Sequence, residues 1–393
     1  MNQFPYYFPT RMIFGTGKFD TLGEETATLG KRAMIVSYAS NSLAGFVEKA
    51  VELLKNNGVT SVIFNEVDAN PDRKIVNQGG ELARKEKCEV IIGLGGGSTM
   101  DVAKAIAVVT VENIDIWKIY EGAPIVRTPL PMIAVPTTAG TGSEATQFAV
   151  ISDHETHRKE GFARRQFYPT LSILDPLLTV NLPPEITAAT GMDVLTHGIE
   201  AYTCRAATVA TDIYAVEAIR LTAQYLRQAV YNGNDIEARS QMLWANTLAG
   251  MAITQSDTSL AHVIGEAVGA VYNTPHGLSV ALALPAVMEY NCVANIEKYA
   301  YITHLMGEDA DCINDRDAAL KSASCVRNLI SDLGLPRGLA ALGVGDLTEV
   351  MELVNRPGMD VSSPRPADSE AFKALVNGSM LPSMSYWESF KLI

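Results

Sequence analysis

Val90-Ile91-Ile92-Gly93-Leu94-Gly95-Gly96-Gly97-Ser98-Thr99-Met100-Asp101-Val102-Ala103-Lys104 is the stretch that decides the fold. Its β-branched start predicts a short buried strand, its glycines let the backbone turn tightly, and the residues after the glycines open a helix whose first amide hydrogens face outward. Such a turn can hold a pyrophosphate, and it can also be merely tight. The order departs from Gly-x-Gly-x-x-Gly, because Ser98 takes the sixth position and the run comes after the third predicted strand where the usual fingerprint comes after the first.

Upstream, an extended start ends in Met12-Ile13-Phe14-Gly15, and Ala33 to Ser37 reads as a strand followed by a helix through Leu53. Ser61 to Phe64 is a second strand, with a charged helix near Lys74 to Lys87 after it. Strand and helix alternating at this spacing predict a parallel sheet with helices on both faces. Downstream, Pro131 to Pro136 is a further strand ending in Thr137-Thr138-Ala139-Gly140-Thr141-Gly142-Ser143-Glu144, a second small-residue loop with hydroxyls. Two such loops at strand ends make one crevice, and a dinucleotide is the economical occupant.

From Pro184 the pattern becomes helical, with apolar spacing over Ala215 to Tyr231, Ile236 to Ile253, Leu278 to Tyr290, Ile296 to Met306 and Ala318 to Leu333, and a last short helix near Ser369 to Val376. The predicted fold class is an α/β N-terminal domain with a Rossmann-like parallel sheet, residues 1–182, plus an all-α C-terminal domain, residues 183–393.

The helical half opens on Gly191-Met-Asp193-Val-Leu-Thr-His197-Gly-Ile-Glu-Ala-Tyr202. On a helix, Asp193 and His197 project from one face a turn apart, close enough to hold one ion or simply to hydrogen-bond at a surface. His262 lies in an apolar run and His276 at the break Asn273-Thr274-Pro275-His276-Gly277. Three of the six histidines thus stand in apolar or Gly/Pro-framed settings that could converge on Asp193.

A formal net charge of −13 over 393 residues, with no basic stripe, argues against a nucleic-acid partner. The first residues resemble no signal peptide, and no apolar run reaches the length of about 18 residues that a spanning helix needs, so the expectation is a cytoplasmic protein with no membrane partner. Cys88, Cys204, Cys292, Cys312 and Cys325 are scattered and odd in number, which indicates neither a disulfide framework nor a thiolate zinc site.

Taken in order, Pro9-Thr10-Arg11, Gly95 to Ser98 with Asp101, Thr137 to Glu144, Asp175-Pro176, Gly191 to Tyr202 and Asn273 to Gly277 resemble the motifs of the iron-dependent, group III alcohol dehydrogenases over nearly the whole chain. The resemblance implies Asp193, His197, His262 and His276 as ligands of a divalent metal, Fe(II) foremost and Zn(II) or another ion as alternatives. It implies a cofactor site, NAD or NADP, formed by Gly95, Gly96, Gly97, Ser98, Asp101, Thr137, Thr138, Thr141, Ser143 and Thr146, with Lys159 and Leu178 beside it. Lys159, in the charged segment Arg158 to Glu160, also reads as a plain surface lysine. Family members are generally dimers or larger, so a homo-oligomer is implied.

Two departures stand out. Many members carry a histidine four residues after the third ligand, whereas this chain has Glu266, whose candidate roles are proton relay, substrate-selecting group, extra metal ligand or solvated helix carboxylate. In a site role, its charge would disfavour anionic substrates unless it is protonated or paired. After the first predicted strand the chain reads Ser37-Tyr38-Ala39-Ser40-Asn41-Ser42, with no carboxylate to repel a ribose 2'-phosphate and no arginine to attract it, so both nicotinamide cofactors are permitted.

The expected reaction is reversible hydride transfer between the nicotinamide and a small primary alcohol or its aldehyde, polar or sulfonated ones included. The alternatives are a metal- and NAD-dependent lyase resembling dehydroquinate synthase, which needs a basic pocket for a phosphate, a metal-dependent hydrolase, which leaves the glycine runs unexplained, and a non-catalytic metal- and nucleotide-binding protein.

Overall fold

A computed structural model of the chain describes residues 3–68, 70–156, 158–309, 313–381 and 386, with the side chains of Lys159 and Glu160 also outside the description. The chain divides into two units, Tyr7–Asn181 and Leu182–Ile393, the latter joined by the first six residues. That grouping has a local cause: the Tyr6 hydroxyl is hydrogen-bonded to that of Tyr214 at 2.9 Å.

The first unit runs β1 (Arg11–Phe14), α1 (Leu22–Leu29), β2 (Arg32–Tyr38), α2 (Asn41–Asn56), β3 (Thr60–Val67), α3 (Arg73–Lys85), β4 (Val90–Gly95), α4 (Gly97–Glu112), α5 (Ile116–Tyr120), β5 (Met132–Pro136), β6 (Phe148–Asp153), β7 (Arg158–Ala163) and β8 (Leu171–Leu174). Six strands form one parallel sheet in the order β1-β8-β5-β4-β2-β3. Successive side chains of a strand face opposite ways. Ala33 and Ile35 of β2 accordingly enter one apolar core with Leu22 and Leu54, while Met34 and Val36 enter another with Val76 and Ile106. Helices cover both faces, as the alternation of elements predicts.

The connections out of β2 and β4 leave in opposite directions, β2 to the edge strand β3 and β4 to β5. In an open parallel sheet, ligands bind beyond the carboxyl ends of strands at such a reversal. The glycine run sits at that end of β4, with α4 starting at Gly97. The antiparallel pair β6–β7 has no counterpart in the sequence reading. Its second strand begins Arg-Lys-Glu, and three consecutive charges hide a strand from a hydrophobic-pattern reading.

The helical unit comprises α6 (Pro184–Thr203), α7 (Val209–Tyr231), α8 (Ile236–Ile253), α9 (Leu260–Tyr272), α10 (His276–Asn291), α11 (Ile296–Leu305), α12 (Asp315–Asp332), α13 (Thr348–Val354) and α14 (Ser369–Met380), with no strand among the described residues. Pro184 at the first position and Pro183 before it set the start of α6, where a missing amide costs nothing. α7 begins six residues ahead of its apolar pattern because Thr208 and Thr211 form a reciprocal cap. The segment His276–Ala294 is long and apolar enough to cross a membrane, yet its apolar window is 83% buried, as expected of a core helix. Cys88, Cys204, Cys292 and Cys325 are buried free thiols, pushed up to about 11 by burial, while Cys312 lies outside the described residues.

Glycines allow α10 to approach its neighbours. A Cβ on Gly265 of α9 would lie 2.8 Å from the Val280 amide nitrogen, and one on Gly277 would lie 2.5 Å from the Ala189 carbonyl oxygen of α6. These close approaches bring α6, α9 and α10 together, and each carries one or two of the four predicted metal ligands.

Candidate functional site

Asp193 and His197 lie a turn apart on α6, His262 near the start of α9, and His276 at the first position of α10. Donor atoms of Asp193, His262 and His276 all fall within 4.8 Å of one another. Asp193 Oδ1 stands 3.8 Å from His262 Nε2, 3.8 Å from His276 Nε2 and 3.9 Å from His197 Nδ1. His197 is not one of these three and lies beside them, its other nitrogen 2.9 Å from His262 Nε2 and the two rings stacked at 4.6 Å. Asp193, His197 and His262 are buried, whereas the His276 side chain is 34% exposed and forms the open side.

Behind His262 lies a carboxylate that the sequence reading missed. Glu200, two turns beyond Asp193 on α6 and 2% exposed, accepts a 2.5 Å hydrogen bond from His262 Nδ1 and further bonds from the Ser259 and Ala261 amides. It fixes the ring and directs Nε2 toward Asp193, the usual partnership of a ligating histidine. The only signal was its place at i+3 from His197. Glu200→Gln is expected to weaken divalent-ion affinity by about 10- to 100-fold with the helices intact, measurable by chelator competition alongside circular dichroism.

Burial drives the Asp193 carboxyl up to about 7, the nearby His262 opposing and Glu200 and Glu266 adding to the rise. For His262, burial works against the charged ring, but Glu200, Asp193 and Glu266 outweigh it and hold the imidazole up at about 9. Burial thus disfavours the charged form of Asp193, while the surrounding carboxylates favour a charged His262 ring.

In the first unit, the two glycine-rich loops touch. The Thr137 amide donates to the Gly95 carbonyl at 2.9 Å, and a Cβ on Gly97 would meet the Thr141 side chain at 2.5 Å. Gly96, Ser98, Thr138 and Thr141 are half-buried at the N-terminal end of α4, where amides can meet phosphate. Gly95 and Thr137 are buried in the turn itself. Leu178 is buried in the core that holds Leu22 and Leu54, and the Lys159 side chain lies outside the described residues.

Asp101, Ser143 and Thr146 are engaged differently. Asp101 accepts from the Ser143 hydroxyl at 2.6 Å and the Val150 amide at 3.0 Å, fastening the second loop to α4. Buried Lys104 donates to Ser143 Oγ at 2.7 Å, Thr146 Oγ1 at 3.3 Å and the Phe148 carbonyl at 2.8 Å. In the sequence, only the i+3 spacing from Asp101 marks Lys104 for this role. These three residues shape the loops from behind.

Burial pulls the Lys104 ammonium down to about 8, against Asp101 and Glu144, which pull it up. Between pH 8 and the ordinary lysine value near 10.5, the unfolded chain holds a proton that the folded chain has released, so this group's contribution to stability grows as pH rises. Urea denaturation of the native chain and Lys104→Met at pH 7.5 and pH 10 is expected to show the native chain gaining relative to the variant at the higher pH, by up to about 3 kcal/mol.

Glu266 is exposed on α9, one turn after His262 on the same face, and its charge reaches both Asp193 and His262.

Two family models cover the chain: residues 9–176 match the iron-containing alcohol dehydrogenase model, and residues 187–380 match the C-terminal model of the Fe-containing alcohol dehydrogenase family. The chain belongs to the iron-containing alcohol dehydrogenase family. It is 37% identical to 1,3-propanediol dehydrogenase from Klebsiella pneumoniae over 95% of this chain and 98% of that one. It is 34% identical to the NAD-dependent methanol dehydrogenase of Bacillus methanolicus over 95% and 99% of the two chains. The crystal structure of sulfoacetaldehyde reductase from Bifidobacterium kashiwanohense in complex with NAD+ superimposes with a TM-score of 0.88 at 28% identity, covering 98% of this chain and 100% of that one.

Membership in an iron-containing alcohol dehydrogenase family makes the chain an oxidoreductase of alcohols and aldehydes and decides against the lyase and the non-catalytic alternatives. The residues fit the implied ion. Asp193 Oδ1 is buried without a hydrogen-bond partner, a costly position for a carboxylate oxygen unless a cation completes it. Two donors each about 2.1 Å from one ion stand about 3.4 Å apart at the tetrahedral angle, so the observed 3.8 Å spacings close with small side-chain movements.

Proposed function

We propose that Asp193, His197, His262 and His276 hold a divalent ion, iron(II) foremost with zinc(II) as the alternative, and that the chain uses it to interconvert a small primary alcohol and its aldehyde with NAD or NADP. The observation that carries this reading is the buried Asp193 Oδ1, which has no hydrogen-bond partner and has nitrogens of three histidines 3.8–3.9 Å away. Bound in these places, the ion supplies Lewis acidity to the substrate oxygen and the nicotinamide supplies the hydride chemistry.

The chain's own residues do the rest. Glu200 holds His262 in one orientation, and the buried faces of α6 and α9 keep water from Asp193. His276 leaves the open side by which a small molecule enters. The amides at Gly96, Gly97 and Ser98 together with Thr137, Thr138 and Thr141 receive the cofactor phosphates, while Lys104, Asp101, Ser143 and Thr146 brace those loops. Lys159 and Leu178 lie beside the cofactor in this reading. Residues 1–182 serve as the nucleotide domain and residues 183–393 as the metal-binding, catalytic domain of a cytoplasmic homodimer or larger homo-oligomer. Tyr38, exposed at the end of β2, leaves room for either cofactor.

The test is anaerobic loading of stripped protein with Fe(II), Zn(II), Mn(II) or Ni(II), then NADH and NADPH oxidation against short aldehydes. Metal-dependent turnover of at least one aldehyde is the expected result. Tight metal and nucleotide binding with no turnover of any aldehyde or alcohol would overturn the reading.

A further inference from the structure

A cavity of about 200 Å3 opens within the helical unit, between α10, α12 and the end of α14. Its lining holds none of Asp193, His197, His262 and His276, so it is separate from the metal cluster. Small residues make the space. Pro285 and Ala286 stand on the α10 side and Gly378 and Ser379 on the α14 side. Gly338 lets the loop after α12 close against α14, since a Cβ there would run into the Met380 carbonyl oxygen.

The lining has two chemistries. Leu282, Pro285, Ala286 and Ile330 are buried and form an apolar wall. With them stand two guanidiniums, Arg327 of α12 and Arg337 of the following loop, and no Asp or Glu lines the cavity among the described residues, in a chain whose formal net charge is −13. Glu289 lies beside Arg327, paired with it at 2.6 Å, while its other oxygen accepts the Tyr386 amide at 2.8 Å. Arg337 instead donates to the Ser331 hydroxyl, a neutral partner that does not offset its charge.

A guanidinium takes a carboxylate through two parallel N–H···O bonds, and an apolar wall in the same small cavity suits an alkyl chain. An inorganic anion would leave that wall uncovered. Volume limits the chain, because at about 30 Å3 for each water-sized group the cavity takes about six or seven non-hydrogen atoms. Butanoate and pentanoate fall in that range.

We infer that this cavity is a binding site for short-chain carboxylates of about four or five carbons, with the carboxylate on Arg337 and the chain against Leu282, Pro285 and Ile330. The site stands independently of the reading of the metal cluster.

The test is calorimetric titration of the metal-loaded full chain with butanoate, acetate and butanamide. Butanoate is expected to bind, and acetate, which lacks the chain, and butanamide, which lacks the charge, to bind about tenfold more weakly or less. Arg337→Gln is expected to lower butanoate affinity about tenfold and Arg337→Lys to lower it less, with alcohol turnover in the absence of butanoate unchanged in both. In crystals soaked with 4-bromobutanoate, the bromine's anomalous peak is expected among Leu282, Pro285 and Ile330. Butanoate binding that Arg337→Gln leaves unaltered, a bromine peak at the metal cluster alone, or no binding at about 20 mM butanoate would each overturn the proposal.

Discussion

His262→Ala is expected to lower kcat/KM by about a thousandfold or more, since a Lewis-acid contribution of several kcal/mol depends on holding the ion. The imidazole stands at the junction of the cluster, with Nε2 facing His197 and Asp193 and Nδ1 bonded to Glu200. Its removal takes away one donor and leaves Glu200 without its side-chain partner, although the Ser259 and Ala261 amides still hold that carboxylate. The expected loss of stability is therefore modest, on the order of 1–3 kcal/mol, beside the loss of activity. Steady-state kinetics, metal content after dialysis and thermal unfolding separate the two effects. A variant that keeps both its metal and its rate would remove His262 from the site.

Gly277→Ala is expected to damage the site without altering any ligand. The added Cβ would lie 2.5 Å from the Ala189 carbonyl oxygen and 3.2 Å from Asp193 Cβ, so α10 must move off α6. His276 precedes this glycine and would be carried away from Asp193 Oδ1, which it now faces at 3.8 Å. Overpacking of this kind costs about 1–3 kcal/mol, and the expected fall in divalent-ion affinity is tenfold or more. Gly269→Ala supplies the control, because there the nearest atom to the new Cβ is the Thr274 carbonyl oxygen at an ordinary 3.7 Å. Chelator competition on the two variants should separate them; equal affinities would show that the spacing of α6 and α10 is not what sets the site.

The sequence shows most of what depends on short-range pattern. β4 and the loop after it were legible because β-branched residues, glycines and the start of a helix come in succession, and α8 was legible from Ile236 to Ile253 because its apolar spacing is unbroken and Asp235 caps it. The pair Asp193 and His197 could be read from a spacing of four. Interactions that depend on distant partners leave no mark in a local pattern. Glu200 meets His262 across 62 positions and Lys104 reaches Phe148 across 44, so neither announces itself in a local window. β7 hides behind its charges, and the placement of β4 between β2 and β5 depends on how whole elements pack. The gathering of His262 and His276 on Asp193 belongs to the same class: the settings of the histidines suggested it, and only the close packing of α6, α9 and α10 accomplishes it.

The most direct measurement is diffraction at the iron absorption edge from crystals of chain loaded anaerobically with Fe(II). A single anomalous peak about 2.0–2.3 Å from an Asp193 oxygen and from nitrogens of His197, His262 and His276 is the predicted result. Stoichiometric iron bound elsewhere, in protein that turns over an aldehyde, would contradict the account.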